Sequence, residues 1–348
     1  MEPVTHFMTG AVLSRAGFNR KAAYATLAMT LAAEAPDLDV LWGFKGPVAA
    51  LEHHRGWTHA LIGFPLEAAV VVGVIGLGHR WLGAGDARTK APIRWGVLYG
   101  CSLIALLSHI LLDWTNNYGV RPFSPFNPRW FAGSFVFVFE PVMFLLLLMA
   151  LIAPWLFGLV SSEVGARRPT FRGRGWAITA LVGIVLLWGF RAWEHQQALA
   201  LAKAADYGGA SVMRVTADPY PLNPFQWQTV AETPTFFQTA SVDTLSGNVT
   251  SSAQSDIFYK PASTLAALVA KRSWLGQVYL DWAKPYTLVT DTGVDPDGTT
   301  IVTFRNLRFM YDTPIFFSGR EKPPLMGAVY VNDDRRVDHM EMNGRVQH

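Results

Sequence analysis

Apolar positions crowd into the first 195 residues of this 348-residue chain, in runs long enough to cross a ~30 Å hydrocarbon core at about 1.5 Å per helical residue. Four runs predict membrane-spanning helices: Ala60–Leu77, Trp95–Leu112, Phe135–Val160 and Trp176–Trp193. Trp57, Trp81, Trp95, Trp130, Trp176 and Trp193 stand at or near their ends, where an interfacial aromatic belt belongs. Ala22–Ala35 differs, being short and rich in Ala and Thr rather than Leu, and it reads as a half-helix, re-entrant or docked on the others. A cleavable signal peptide competes, because Arg15, Arg20 and Lys21 precede the run and Ala33-Glu34-Ala35 has the small residues of a cleavage site. Against cleavage, the positive stretch is long for a leader, and the motif starting at Pro36 belongs with His6 upstream.

Beyond residue 200 the long runs give way to short β-branched and aromatic stretches broken by Pro, Gly and Asp. Trp227–Ala231, Thr235–Val242, Tyr286–Thr290, Ile301–Leu307 and Gly327–Val331 predict strands, Asp295-Pro296-Asp297-Gly298 a turn, and Ser263–Trp274 a helical insert. The expected fold is therefore a mainly α membrane protein. Residues 1–200 form a four-span bundle with an N-terminal half-helix, and residues 201–348 a β-rich soluble domain.

Composition agrees with this pattern. Hydrophobic residues make up 51% and charged residues 16%, against a usual ~25%, which excludes a disordered chain and argues against an ordinary soluble enzyme. The formal net charge of +3 is too small for a basic face, so nucleic acid is not an expected partner. The single cysteine, Cys101, permits no disulfide within the chain. Lys and Arg set the orientation: Arg80, Arg88, Lys90 and Arg94 follow the first run, and Arg167, Arg168, Arg172 and Arg174 follow the third. Those loops are expected in the cytoplasm, which puts the loop after the second run and the whole C-terminal domain outside.

Candidate chemistry lies in a succession of histidines and acids: His6, Pro36-Asp37-Leu38-Asp39, His53-His54-Arg55-Gly56-Trp57-Thr58-His59, and His109 with Asp113. His109 and Asp113 are four apart, so a helix places them on one face, where a single cation can bridge them. Imidazole with carboxylate suits zinc, manganese or iron rather than calcium or magnesium alone. His59 opens the first run and His109 with Asp113 closes the second. Antiparallel spans then bring all three to one membrane face, together with the acidic pair that precedes the first run. Singly, each residue has an ordinary structural explanation as a cap, a turn or a donor to a carbonyl. Together they are costly unless paired or metal-bound.

The order and spacing of Thr5-His6, Pro36-Asp37-Leu38-Asp39, His54-Arg55-Gly56-Trp57-Thr58-His59, Ser108-His109 with Asp113, and Tyr118-Gly119 with Pro122 resembles the YdjM-like family of bacterial inner-membrane proteins, described as metal-dependent hydrolases. The resemblance covers roughly residues 1–160. It implies a metal site on His6, Asp37, Asp39, His54, His59, His109 and Asp113, and a hydrolytic activity. Ala60 stands where a serine is expected, and Val40 where some relatives have a further histidine. Seven candidates exceed the usual three protein ligands of one catalytic zinc, so one or two ions are expected.

Asp39 is the candidate proton acceptor. Arg55 is a candidate clamp for an anionic group, or else a salt-bridge partner of Asp37 or Glu52. Glu140, at the outer end of the third run, is placed to serve as base or to support a ligand, while Glu67 lies deeper and is expected to pair within the bundle. The segment Thr115–Phe131 is expected as a rim above the site. His79, His195, His339 and His348 lie outside the pattern. The function these residues favour is a membrane-embedded metal-dependent hydrolase, most simply a zinc enzyme, acting on a phosphoester or lipid-like substrate among the membrane lipids. The alternative is a non-enzymatic protein whose ions staple the helix ends, or an ion transporter.

Overall fold

The computed structural model describes residues 1–81, 91–163, 173–251, 255–296, 298–311 and 323–347, with 158–163 described by backbone alone. The chain divides into two compact units, one of residues Met1–Asp39 and Arg55–Ala192, the other of Val40–His54 and Trp193–His348. In chain order the helices are α1 (Pro3–Arg15), α2 (Ala25–Glu34), α3 (Pro47–His53), α4 (Phe64–Trp81), α5 (Trp95–Thr115), α6 (Pro141–Glu163) and α7 (Arg174–Ala204). A 3-10 segment, Ala35–Lys45, continues from α2, and a 3-10 turn covers Trp57–His59.

The four-span bundle expected from the sequence is not what the chain forms. Among the described residues only α5 and α7 are long and apolar enough to cross a membrane, and a third span exists only if the bent pair Pro47–His59 and Phe64–Trp81 is one. Helices α4 and α6 start later than their apolar runs, and α4 takes in Glu67, His79 and Arg80. The first apolar run starts at Ala60, yet Ala60–Gly63 is turn, and the helix begins only at Phe64 with Pro65 in its first turn, where a missing N–H costs nothing. The third run starts at Phe135, but the helix begins only at Pro141, and Pro141–Phe157, the part whose side chains are described, is a shorter apolar helix. A 3.6-residue period cannot separate an apolar helix from apolar loop, so composition overstated both runs. The orienting residues Arg88, Lys90, Arg167, Arg168 and Arg172 lie outside the described residues.

Within the first unit, small residues let helices approach closely. Ala25, Ala28, Met29 and Ala32 of α2 join Leu98, Cys101, Ala105 and Leu106 of α5 in one buried cluster with Phe64, Ala68, Val71 and Ile75 of α4. The larger side chains Leu66, Val70, Val74 and Leu77 of α4 face outward, the arrangement of a helix whose outer solvent is lipid. Gly10 of α1 lies so near α2 that a Cβ there would collide with the Met29 carbonyl.

The second unit is β-rich. One antiparallel sheet runs β1 (Arg214–Pro219), β2 (Gln226–Glu232), β3 (Phe236–Asp243), β4 (Asn248–Thr250), with β5 (Ile257–Tyr259) also on β3. The other has the spatial order β10 (Arg345–Gln347), β9 (Val337–Met342), β8 (Gly327–Val331), β7 (Thr300–Asn306), β6 (Thr287–Val294). Along β7, Thr300, Val302, Phe304 and Asn306 are buried in alternation, the period of a sheet with one inward face. Val230 and Phe237 of the first sheet cluster with Leu288 of the second and with Tyr286, Leu307 and Met310. The single helical insert is in fact two helices, α8 (Leu265–Arg272) and α9 (Trp274–Ala283), separated by Ser273, whose hydroxyl caps the second. α3 belongs to this unit, where Glu52 accepts the Trp274 indole N–H at 2.9 Å.

Candidate metal centre

The centre starts from helix period. His109 and Asp113 lie one turn apart near the C-terminal end of α5, both fully buried, with His109 Nε2 3.4 Å from Asp113 Oδ2. The Ala33 carbonyl, at the end of α2, accepts a 2.6 Å hydrogen bond from His109 Nδ1. That bond fixes the proton on Nδ1 and leaves Nε2 with a free lone pair.

His59 ends the 3-10 turn Trp57–His59, and the chain folds back tightly at Gly63, where a Cβ would meet the Trp57 carbonyl at 2.8 Å. Its Nε2 faces His109 Nε2 at 3.1 Å and Asp113 Oδ2 at 3.3 Å. The segment after α2 adds Asp37, whose Oδ1 is 3.5 Å from both His59 Nε2 and His109 Nε2. Asp37, His59, His109 and Asp113 each offer a ligand atom within 4.8 Å of one another.

Five of the six separations among these atoms thus span 3.1–3.5 Å. A tetrahedron with metal–ligand arms of ~2.0–2.1 Å has edges of about 3.3–3.4 Å. The buried cluster therefore fits a divalent metal ion. Burial alone would raise the Asp37 carboxyl, but the His59 hydrogen bond and the field of His109 outweigh it and hold the group below the usual carboxylate range.

Around the four stand groups that orient them. Asp39 Oδ2 lies 3.4 Å from His59 Nδ1 and accepts the Arg55 backbone N–H at 2.7 Å. Arg55 holds a left-handed φ of +53°, unusual outside glycine. Its buried guanidinium reaches Asp113 Oδ1 at 2.8 Å, the Gly119 carbonyl at 2.8 Å and Asn116 Oδ1 at 3.2 Å, and lies over the Tyr118 ring. The Met1 α-amino group also contacts Asp113 Oδ1. Asp113 is thus shared, Oδ2 toward His59 and His109 and Oδ1 toward the Arg55 and Met1 cations.

His6, on α1, stacks on His109 with ring centroids 3.8 Å apart, and its Nε2 is 3.3 Å from Asp113 Oδ1. Burial, the neighbouring His109 and the Met1 amino group push its pKa down to about 3, so the ring is neutral. Glu34 ends α2, and burial together with Asp37 pushes its carboxyl up to about 7, against a backbone hydrogen bond from Phe7.

Of the seven residues the resemblance implied, His59, His109, Asp113 and Asp37 form the four-atom group, and Asp39 and His6 touch its members. His54 caps α3 and falls in the other unit. Arg55 pairs with Asp113 rather than with Asp37 or Glu52. Glu140 lies 3.9 Å from Arg191 Nε and is not in the four-atom group. Sequence reasoning missed Glu34 and the Ala33 carbonyl. Glu34 carried a signal, an acid three residues ahead of Asp37 in one helical run, whereas a backbone acceptor carries none.

A family profile described as YdjM inner membrane protein matches residues 1–198. An uncharacterized protein of Bacillus subtilis (strain 168), YfhP, is 27% identical over 173 residues, covering 45% of this chain and 47% of that protein. The chain thus spans about half the length of that relative. No solved structure matches the chain.

Proposed function

The chain belongs to the YdjM inner membrane protein family, a multi-pass inner-membrane protein, and from that premise we propose that it is a metal-dependent hydrolase with zinc on Asp37, His59, His109 and Asp113, acting on a phosphoester or lipid-like substrate. The observation that supports this reading is the set of 3.1–3.5 Å separations among two imidazole nitrogens and two carboxylate oxygens, with His109 held in the ligating tautomer. A divalent ion bound there supplies Lewis acidity and a water of lowered pKa.

The chain's own groups divide the remaining work. Asp37 is the half-buried ligand of the four, so incoming substrate meets the centre on its side. Asp39 is assigned to orientation rather than proton transfer, because its Oδ2 already serves His59 and the Arg55 amide. Arg55 neutralises Asp113 and is too enclosed to clamp substrate. Glu34, with a carboxyl near 7 and one oxygen buried without a hydrogen-bond partner, is the proton acceptor matched to neutral pH. The centre is assigned to the extracytoplasmic side, because Arg80 and Arg94 stand at the opposite ends of α4 and α5 from it.

Four protein donors also suit a closed, structural zinc, which is the second reading. Metal analysis of the purified protein, paired with lipid and phosphoester profiles of cells carrying Asp113→Ala, separates the two. An enzyme loses metal and accumulates a substrate. A staple loses metal and leaves the profile unchanged, and absence of metal from the wild-type protein overturns both.

A further inference from the structure

Six apolar side chains flank the ligands in the first unit and are all exposed: Leu38 between Asp37 and Asp39, Trp57 two residues before His59, Leu61 and Ile62 just after it, and Phe123 and Phe126 in the segment following α5. Phe126 is 81% exposed. These loops are tied together, since the Pro122 carbonyl accepts the Leu61 N–H at 2.9 Å and Gly119 accepts from Arg55. Large apolar side chains thus stand open on segments joined by these hydrogen bonds, and exposed apolar surface gathered in this way marks an interaction site.

Continuity with α5 identifies the occupant. Ile104, Leu107, Leu111 and Trp114 are exposed at spacings of three and four, forming one stripe down a helix whose opposite face, from Leu98 through Ala105 to His109 and Asp113, is buried. On a membrane-crossing helix the exposed apolar stripe is the lipid-facing one. It ends at Trp114, beside the ligand Asp113, and the rim takes over where it stops. Asp113 is two residues from the end of α5 and His109 six, which puts them about 3 Å and 9 Å along the helix from its terminus, the depth where headgroups meet acyl chains. Arg121, which lies over the Trp130 ring at 4.5 Å, supplies the basic and aromatic pairing common at that level.

We propose that this rim is a membrane-docking surface that sits in the headgroup and acyl boundary, so that the metal centre opens laterally onto the bilayer. Resting on the hydrolase reading, it narrows the substrate to a membrane amphiphile whose polar head reaches the centre while its chains stay in lipid. A water-soluble phosphoester would have to pass the same apolar rim.

The test uses the full-length protein in phosphatidylglycerol and phosphatidylethanolamine vesicles, with Cys101→Ala and Phe126→Cys carrying an environment-sensitive fluorophore, and Ile62→Cys as a second position. The label should emit blue-shifted light, lose most of its emission to nitroxide lipids labelled near the headgroup, and resist aqueous iodide. Quenching by iodide and not by the nitroxide lipid places the rim in water and overturns the proposal. Blue-shifted emission quenched by neither shows a protein covering the rim and overturns it equally. The metal content of the labelled proteins, with the lipid and phosphoester profile of cells carrying them, reads the hydrolase proposal separately, because neither Phe126 nor Ile62 is a ligand.

Discussion

His109 Nε2 and His59 Nε2 face each other at 3.1 Å, although 50 positions apart in the chain, and Asp113 Oδ2 lies within 3.4 Å of both. Two imidazoles and a carboxylate this close in a buried site are held by shared protons or by a cation, and their separations match the edges of a tetrahedral metal site. The purified protein should therefore carry a divalent ion, and His109→Ala, His59→Ala and Asp113→Ala should each lose it. The loss should exceed the ~10–100-fold weakening typical of groups that merely support a ligand. Elemental analysis after desalting measures this, and full metal occupancy in any of the three removes that residue from the ligand set.

Asp39 provides the contrast. Its contacts run to His59 Nδ1 and the Arg55 amide, so Asp39→Asn should weaken metal affinity by ~10–100-fold without abolishing it. Competition against a chromophoric chelator gives the number. Complete loss, equal to that of Asp113→Ala, would make Asp39 a direct ligand.

Much of this centre could be read from spacing. The four-residue step from His109 to Asp113 placed both on one face, and the short path from Asp37 to His59 kept that stretch near the same end of α5. What spacing could not supply was division of labour. Asp37 and Asp39 are equivalent in sequence, yet the 3-10 segment turns one toward the nitrogens and the other toward the far side of His59. Arg55 looked like an anion clamp because exposed arginines often are, and only its burial against Asp113, Asn116 and Gly119 assigns it to the scaffold. The span count was the larger error. Ala60–Leu77 and Phe135–Val160 are apolar apart from Glu67 and Glu140, but their helices start only at Phe64 and Pro141, and apolar loop near a membrane has the composition of helix. In the second unit β2, β3, β6, β7 and β8 were legible from their β-branched and aromatic stretches, whereas β1 and β9, six residues each, were not read, and β4, β5 and β10, three residues each, are too short to show a period.

Arg55→Met should destabilise the fold sharply. Removing the cation leaves Asp113 buried beside the other acids, and breaking a buried pair from one side costs about 3–5 kcal/mol. Arg55→Lys restores charge but not the fork that also reaches Asn116 and Gly119, so its melting temperature in detergent should fall between those of wild type and Arg55→Met. A wild-type melt for Arg55→Met would show the pair to be dispensable.

Gly10→Ala tests the closeness of α1 and α2 directly. The added methyl would strike the Met29 backbone, which cannot rotate away, so the helices must separate at a cost of about 1–3 kcal/mol. Because α1 carries His6, the same variant should loosen its stacking on His109. Thermal melting reads the first effect. A variant as stable as wild type would mean the helices are not held at this distance.

Acid and base should tilt stability in opposite directions through two residues. His6 has its pKa pushed down to about 3 from 6.5, so between those values the unfolded chain takes up a proton that the folded one refuses. Its contribution is complete above pH 6.5 and is lost as the pH falls toward 3. Glu34 has its carboxyl raised to about 7 from 4.5, so the folded chain keeps a proton that the unfolded one releases, and stability declines as the pH rises from 4.5 to 7. Unfolding of chelator-treated protein in detergent, followed across pH 4–8, should show His6→Phe flattening the acid side of the profile and Glu34→Gln flattening the neutral side. Chelation matters because a bound cation would itself keep His6 neutral. If His6→Phe leaves the acid side unchanged, the ring is not held neutral by burial, and its stacking on His109 is no guide to its charge.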